Sequence, residues 1–188
     1  MRYRANLYSD LNCPFCYALE ERLVALHLNS LVEWRGVQHS QGLSVPMEIA
    51  NYSLSRALER EVLQVREVAP EIEISFPLGK PNTLRAIQYV IAAQKKDPML
   101  ALVYRHTLGR EFWVNGEDIS NEKLLIDLAR DLGMPDLRVD TASESLADVW
   151  QREWELLGTG SVPTLQREDG EVAVGLMSVE DLKKFFDI

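Results

Sequence analysis

Ser9-Asp10-Leu11-Asn12-Cys13-Pro14-Phe15-Cys16-Tyr17 carries the only two cysteines of the 188-residue chain. One sits just before a predicted helix and the other within its first turn, three positions on. At that spacing two thiols close a small disulfide without distorting the backbone, and open it again when a thiolate attacks. Cys13 and Cys16 are therefore candidate catalytic residues.

Upstream, residues 2–8 place Tyr3, Ala5 and Leu7 on one face, so a first strand runs straight into the cysteine motif. Downstream, Phe15, Leu19, Leu23 and Leu26 recur near a 3.6 period with Glu20, Glu21 and Arg22 between them, which predicts a helix from Pro14 to about Leu28. Pro14 suits the first helical position, where its missing N–H costs the helix nothing. Leu31 to Val37 reads as a second strand whose end is weakened by Gly36. Strand, helix and strand of these lengths make one βαβ unit, expected to be parallel and right-handed.

From Gly42 to Gly158 the pattern is helix after helix, more than a small sheet needs between two strands. Leu54, Leu58, Val62 and Val65 form one stripe, and Glu71 to Phe76 forms a short extended piece. Leu84, Ile87, Val90 and Ile91 mark a helix that Pro98 ends. Met99, Leu102, Val103 and His106 carry the next. Leu124, Leu125, Leu128 and Leu132 follow the Asn115-Gly116 turn, with Gly133 as C-terminal cap. Thr141 and Glu144 stand at capping-box spacing before Leu146, Val149, Trp150, Trp154 and Leu157. Beyond Gly158, Asp169-Gly170 separates Ser161-Val162-Pro163-Thr164-Leu165 from Val172-Ala173-Val174, a hairpin signal. Ser178 and Asp181 open a last helix burying Val179, Leu182, Phe185 and Phe186. The expected organisation is a discontinuous α/β body, residues 1–42 and 158–188, interrupted by a helical subdomain over 43–157.

Composition limits the partners. Hydrophobic residues make up 46% of the chain and charged residues 26%, ordinary for a globular protein with a real core. A net charge of −9, from 29 acidic and 20 basic residues, excludes nucleic acid or an anionic membrane as the main partner. Neither a secretory signal nor an apolar run of about 18 residues is visible, so a soluble cytoplasmic protein is expected. In that reducing compartment paired cysteines read as a redox or metal pair rather than a staple. A zinc site lacks further cysteines, and His27, His39 and His106 are scattered, so no metal is expected. Inert buried thiols are the remaining alternative.

A thiol attacks only as its thiolate. Cys13, at the end of the helix where N–H groups are unpaired, is expected to be activated by the helix dipole and to attack first. Cys16, one turn further in, is the expected resolving thiol. Such pairs span roughly −270 to −120 mV in potential. Phe15 supplies no side-chain hydrogen bond to a thiolate and Asp10 adds negative charge, so both argue against an extreme oxidant.

Taken together, Ser9-Asp10 before Cys13-Pro14-Phe15-Cys16-Tyr17, the helical insertion, and Ser161-Val162-Pro163-Thr164 before a hairpin and final helix resemble the DsbA-like branch of the thioredoxin superfamily. The chain looks closest to its cytoplasmic FrnE-type oxidoreductases and 2-hydroxychromene-2-carboxylate isomerase relatives. Asn82-Thr83 and Phe112 through Ser120 also resemble insertion segments of that group. The resemblance implies a thioredoxin fold with an inserted all-helical subdomain, acting on a disulfide or dithiol substrate, protein or small thiol. It implies no tightly bound cofactor, with glutathione as a candidate co-substrate. It also implies a cis-proline at Pro163 beside the cysteines, where Val162 would present its backbone to an extended substrate while Pro14 and Phe15 line the same site. Asn82 is a candidate ligand contact, although a helix cap explains it equally well. Isomerase and kappa-class glutathione transferase relatives typically carry serine where this chain has Cys13, so two thiols favour dithiol-disulfide exchange. A redox-inactive binding protein is the third class. His39 and Trp113 are read as surface loop and core packing, respectively.

Overall fold

The computed structural model describes residues 4–188. Four strands form a mixed sheet in the order β2-β1-β3-β4: β1 (Ala5–Ser9), β2 (Val32–Gly36), β3 (Thr164–Arg167) and β4 (Val172–Val174). Strand β1 pairs parallel with β2, Ala5 opposite Val32 and Ser9 opposite Gly36. On its other side it pairs antiparallel with β3, Tyr8 opposite Thr164. The crossover between β1 and β2 is α1 (Pro14–Ala25), as the βαβ reading requires. Tyr3, expected on the first strand's inner face, lies outside the described residues.

Helix α1 is shorter than expected. It stops at Ala25, and His27 then takes a positive φ of 56° as the chain turns toward β2. A short 3-10 turn at Asn29–Leu31 takes Leu31 out of the strand. Gly36 does more than end β2. A Cβ at this position would stand 2.3 Å from the Trp34 indole and 2.7 Å from Ile87, so the bare backbone lets a fully buried tryptophan lie across it.

Five helices lie between β2 and β3: α2 (Tyr52–Val68), α3 (Leu84–Lys96), α4 (Pro98–Trp113), α5 (Glu122–Asp131) and α6 (Thr141–Leu157). The stripe of α2 buries Leu58, Val62 and Val65 as patterned. Residues 71–76 form no strand; Ser75 donates one backbone bond to Trp113 O (2.7 Å). Pro98 is the first residue of α4 as well as the stop for α3, with Asp97 capping its Met99 and Leu100 N–H groups.

Readings of α4, α6 and the C-terminal helix are corrected. Helix α4 buries Ala101, Tyr104, Leu108, Gly109, Phe112 and Trp113, while Met99 and Val103 are exposed. Its apolar residues fall on every side, with Arg105, His106, Arg110 and Glu111 scattered among them, so periodicity does not pick its inner face. Gly109 leaves room for the Tyr17 ring, which a Cβ would meet at 3.2 Å. Helix α6 is capped by Asp140, which accepts from Ser143 N–H at 2.8 Å, one position before the expected Thr141. Val149 is exposed on its outer face, and Gly158 ends it in the left-handed conformation. The hairpin turns at Gly170 (φ 92°), and α7 (Val179–Phe185) starts from a Ser178 cap. Val179 is exposed at the start of α7 rather than buried.

Arg22 ties these layers together. Its buried guanidinium donates to Val68 O and Met177 O, both at 2.7 Å, and to Glu71 Oε1 at 2.7 Å. One side chain of α1 thus satisfies the C-terminal end of α2 and the loop before α7. Arg22→Met keeps most of the packing but strands two carbonyls and a carboxylate. It is expected to lower the unfolding free energy by about 2–3 kcal/mol, read as a lower denaturant midpoint with unchanged slope.

Candidate active site

Cys13 is the N-cap of α1, in extended conformation, and Pro14 is its first helical residue. Local chemistry dictates this: a proline N1 cannot bond backward, and the Asp10-Leu11-Asn12 turn closes with Cys13 N–H donating to Asp10 O (3.1 Å). Both thiols are free and buried, Cys13 4% and Cys16 1% exposed. Burial, followed by the neighbouring Cys13 sulfur, pushes the Cys16 thiol well above its ordinary value. The Asp10 N–H donor at 3.4 Å and the Ser9 hydroxyl oppose that rise.

The loop before β3 meets the pair. The Val162–Pro163 peptide bond is cis, and the Cys13 thiol lies 3.8 Å from Val162 O. Trp154 of α6 donates to Ser161 O (3.1 Å), as does the Thr164 hydroxyl (2.7 Å), fixing the loop from both ends. Phe15 is half-buried beside Cys13, and Pro14 is buried. The structure thus brings Cys13, Cys16, Pro14, Phe15 and the Val162-Pro163 loop together.

Asn82 is fully engaged within the protein. Its Oδ1 accepts from Leu84 N–H at the start of α3 and from Gln38 Nε2 (both 3.0 Å), and its Nδ2 donates to Leu43 O (2.7 Å). It joins the loop after β2 to α3. Trp113, as expected, is fully buried, but its Nε1 also donates to Leu11 O (3.0 Å), fastening α4 to the cysteine loop.

Two groups of residues escaped the reading from sequence. Asp10, fully buried, is a hub: Oδ1 accepts from the Thr83 hydroxyl (2.7 Å) and Oδ2 from His39 N–H (2.9 Å). His39 Nδ1 lies 2.8 Å from the same Oδ2, and its Nε2 lies 2.9 Å from Lys80 Nζ. Facing a carboxylate on one side and an ammonium on the other, the ring carries its proton on Nδ1 and accepts at Nε2. His39 is therefore no free loop residue. Lys80, Asn82 and Thr83 share one segment, and Pro81 O there accepts from Asn12 Nδ2 (2.8 Å).

The second group lies behind Cys16, between α1 and α4. Glu20 accepts from the Ser9 hydroxyl (2.8 Å), Trp34 Nε1 (3.0 Å) and Arg105 Nε (2.7 Å). Beside it His106 Nε2 stands 2.7 Å from Glu21. The Glu21 carboxylate raises the His106 pKa against the opposing effect of partial burial. A folded pKa above the unfolded value of about 6.5 means the contact stabilises fully below that pH, and its contribution fades as pH rises through the folded value. Denaturant midpoints followed upward from pH 6 should show this fall, by less than about 1 kcal/mol, and His106→Gln should remove it.

Among the described residues no cluster of three or more His, Cys, Asp and Glu is arranged to hold a metal, and no helix is long and apolar enough to cross a membrane.

Comparison with known proteins fits this geometry. The family model of the DSBA-like thioredoxin domain matches residues 5–186. The chain belongs to that family. Among solved structures it is similar to a protein described as a protein disulfide isomerase from Nitrosomonas europaea, with TM-score 0.81 and 16% identity over 100% of this chain and 97% of that one. It is also similar to the cytosolic disulfide reductase DsbM from Pseudomonas aeruginosa, solved with GSH, with TM-score 0.73 and 17% identity over 97% and 96%. A 2-hydroxychromene-2-carboxylate isomerase gives TM-score 0.73 and 18% identity over 97% and 94%. No curated protein matches the sequence. Identities this low speak for the DsbA-like fold, a four-stranded mixed sheet with a helical insert.

Proposed function

We propose that this DsbA-like protein is a thiol-disulfide oxidoreductase in which Cys13 is the nucleophile and Cys16 the resolving thiol. The observation that carries the reading is the asymmetry of the pair. Cys13 caps the helix beside the Val162-Pro163 loop, whereas Cys16 is sealed one turn below it. A substrate disulfide meets Cys13, forms a mixed disulfide, and is released when Cys16 attacks the bridging sulfur. Val162 then offers its backbone to the substrate, with Pro14, Phe15 and Pro163 shaping the contact.

The helical insertion reaches the site through Trp113, Pro81 and Thr83, and in this reading it limits what approaches Cys13. Glutathione is the proposed small-thiol co-substrate and the cytoplasm the proposed compartment, in line with the cytosolic reductase solved with GSH. The isomerase reading draws on a relative of equal structural similarity, but the two thiols here favour exchange.

The test is equilibration of the purified protein in buffers of varied reduced to oxidised glutathione, with the thiols counted by mass after alkylation. Reversible interconversion of dithiol and disulfide supports the proposal. Two unreacted thiols at every ratio would exclude it.

A further inference from the structure

To resolve the mixed disulfide, the Cys16 sulfur must carry negative charge in a place closed to solvent. The hydrogen bond seated on that sulfur comes from the Asp10 backbone N–H, at 3.4 Å. An N–H aimed at a buried thiolate stabilises it only while its direction is held, since water cannot replace it there.

The Asp10 side chain holds that direction. Asp10 opens the turn that leads to Cys13, and its carboxylate is pegged from two distant segments. Oδ1 accepts from the Thr83 hydroxyl (2.7 Å) and from Asn12 N–H (3.4 Å). Oδ2 accepts from His39 N–H (2.9 Å) and faces His39 Nδ1 (2.8 Å), whose ring meets Lys80 Nζ at Nε2 (2.9 Å). Thr83 stands at the N-cap of α3, where a hydroxyl ordinarily satisfies a helix N–H, yet it makes no cap bond, and Asn82 serves Leu84 N–H instead. The fully buried Thr83 hydroxyl is thus committed to Asp10 rather than to its own helix. A carboxylate has the wrong charge for a neighbouring thiolate; the donors around it, with Lys80 behind His39, offset that charge.

We infer that Thr83 and His39 are positioning residues for the resolving thiol: by pegging the two Asp10 carboxylate oxygens they hold the Asp10 N–H on the Cys16 sulfur. The role rests on the oxidoreductase reading. Cys13 first attacks the substrate disulfide and expels one thiolate, which takes a proton from solvent. In the resolving step Cys16 sheds its proton to solvent, its sulfur bonds to Cys13 sulfur, and the Cys13–substrate bond breaks to expel the second thiolate, protonated by solvent. The substrate gains two electrons and two protons, and the dithiol becomes a disulfide. The Asp10 N–H gives up no proton and acts only on the charge that builds on Cys16.

Stopped-flow mixing of the reduced protein with one equivalent of dithiobis(nitrobenzoate) separates the steps, since each releases one coloured thiolate. Thr83→Val, which keeps the volume and loses the donor, should slow the second release about fivefold and leave the first within about twofold. His39→Leu, which keeps the backbone donor and loses the ring, should do the same. Thr83→Ser, which keeps the hydroxyl, should restore the second phase. The slowing should persist as a parallel offset across the pH range in which Cys16 is protonated. Pegs that only stabilise the fold would lower the denaturant midpoint and leave the ratio of the two phases unchanged. A second phase within about twofold of wild type in either Thr83→Val or His39→Leu therefore overturns the inference, as does a first phase slowed equally or an equal slowing in Thr83→Ser. No release of either thiolate by the wild-type protein would instead remove the oxidoreductase reading itself.

Discussion

Cys13→Ala is expected to lose disulfide exchange almost entirely, on the order of a thousandfold or more in turnover, with the fold intact. The size follows from what remains. Cys16 is 1% exposed, its thiol form is favoured by burial, and no substrate sulfur reaches it without opening the helix. Alanine fits the Cys13 position at little packing cost, so unfolding transitions should stay close to wild type. Retained turnover in this variant would leave only binding or chemistry that does not use thiols.

Cys16→Ala is expected to fail differently. The first attack survives, because Cys13 keeps its cap position and its contact with the Val162-Pro163 loop. The mixed disulfide then has no internal thiol to resolve it and accumulates. Incubation with oxidised glutathione should add one glutathione per chain by mass, stable until a dithiol is supplied, and multiple-turnover activity should fall by on the order of a hundredfold or more. Unchanged turnover in Cys16→Ala together with a dead Cys13→Ala would favour a monothiol, glutathione-dependent mechanism of the isomerase type.

What the sequence makes legible here is local. Cys13, Pro14 and the 3.6 period behind them specify a strand-to-helix junction within a few residues, and Asp169-Gly170 specifies its hairpin in the same way. Inner faces were readable where polar residues marked the other side, as on α2, and failed on α4, where Met99 and Val103 are as apolar as the buried side. The cap of α6 is Asp140 rather than Thr141, because both are good caps and only the backbone chooses between them.

The polar surroundings of the thiols were hidden for another reason. Asp10 meets residues 29 and 73 positions away, and Glu20 meets Arg105 across 85. No period or spacing encodes such pairs; they exist only once β1, α3 and α4 have packed. His39, which reads as a loop residue, and Asn82, which reads equally as a ligand contact or a helix cap, are both tied into the protein by this packing, Asn82 in part through the Leu84 N–H at the start of α3.

Cys13 and Cys16 are expected to exchange one disulfide as a unit. A glutathione redox titration of the wild-type chain, quenched by alkylation and read by mass, tests it most directly. A single two-electron transition is expected, quadratic in reduced glutathione, in which the two thiols disappear together, with a midpoint more reducing than roughly −120 mV. Thiols that stay reduced at every ratio, or a transition in which only one cysteine is modified, would contradict it.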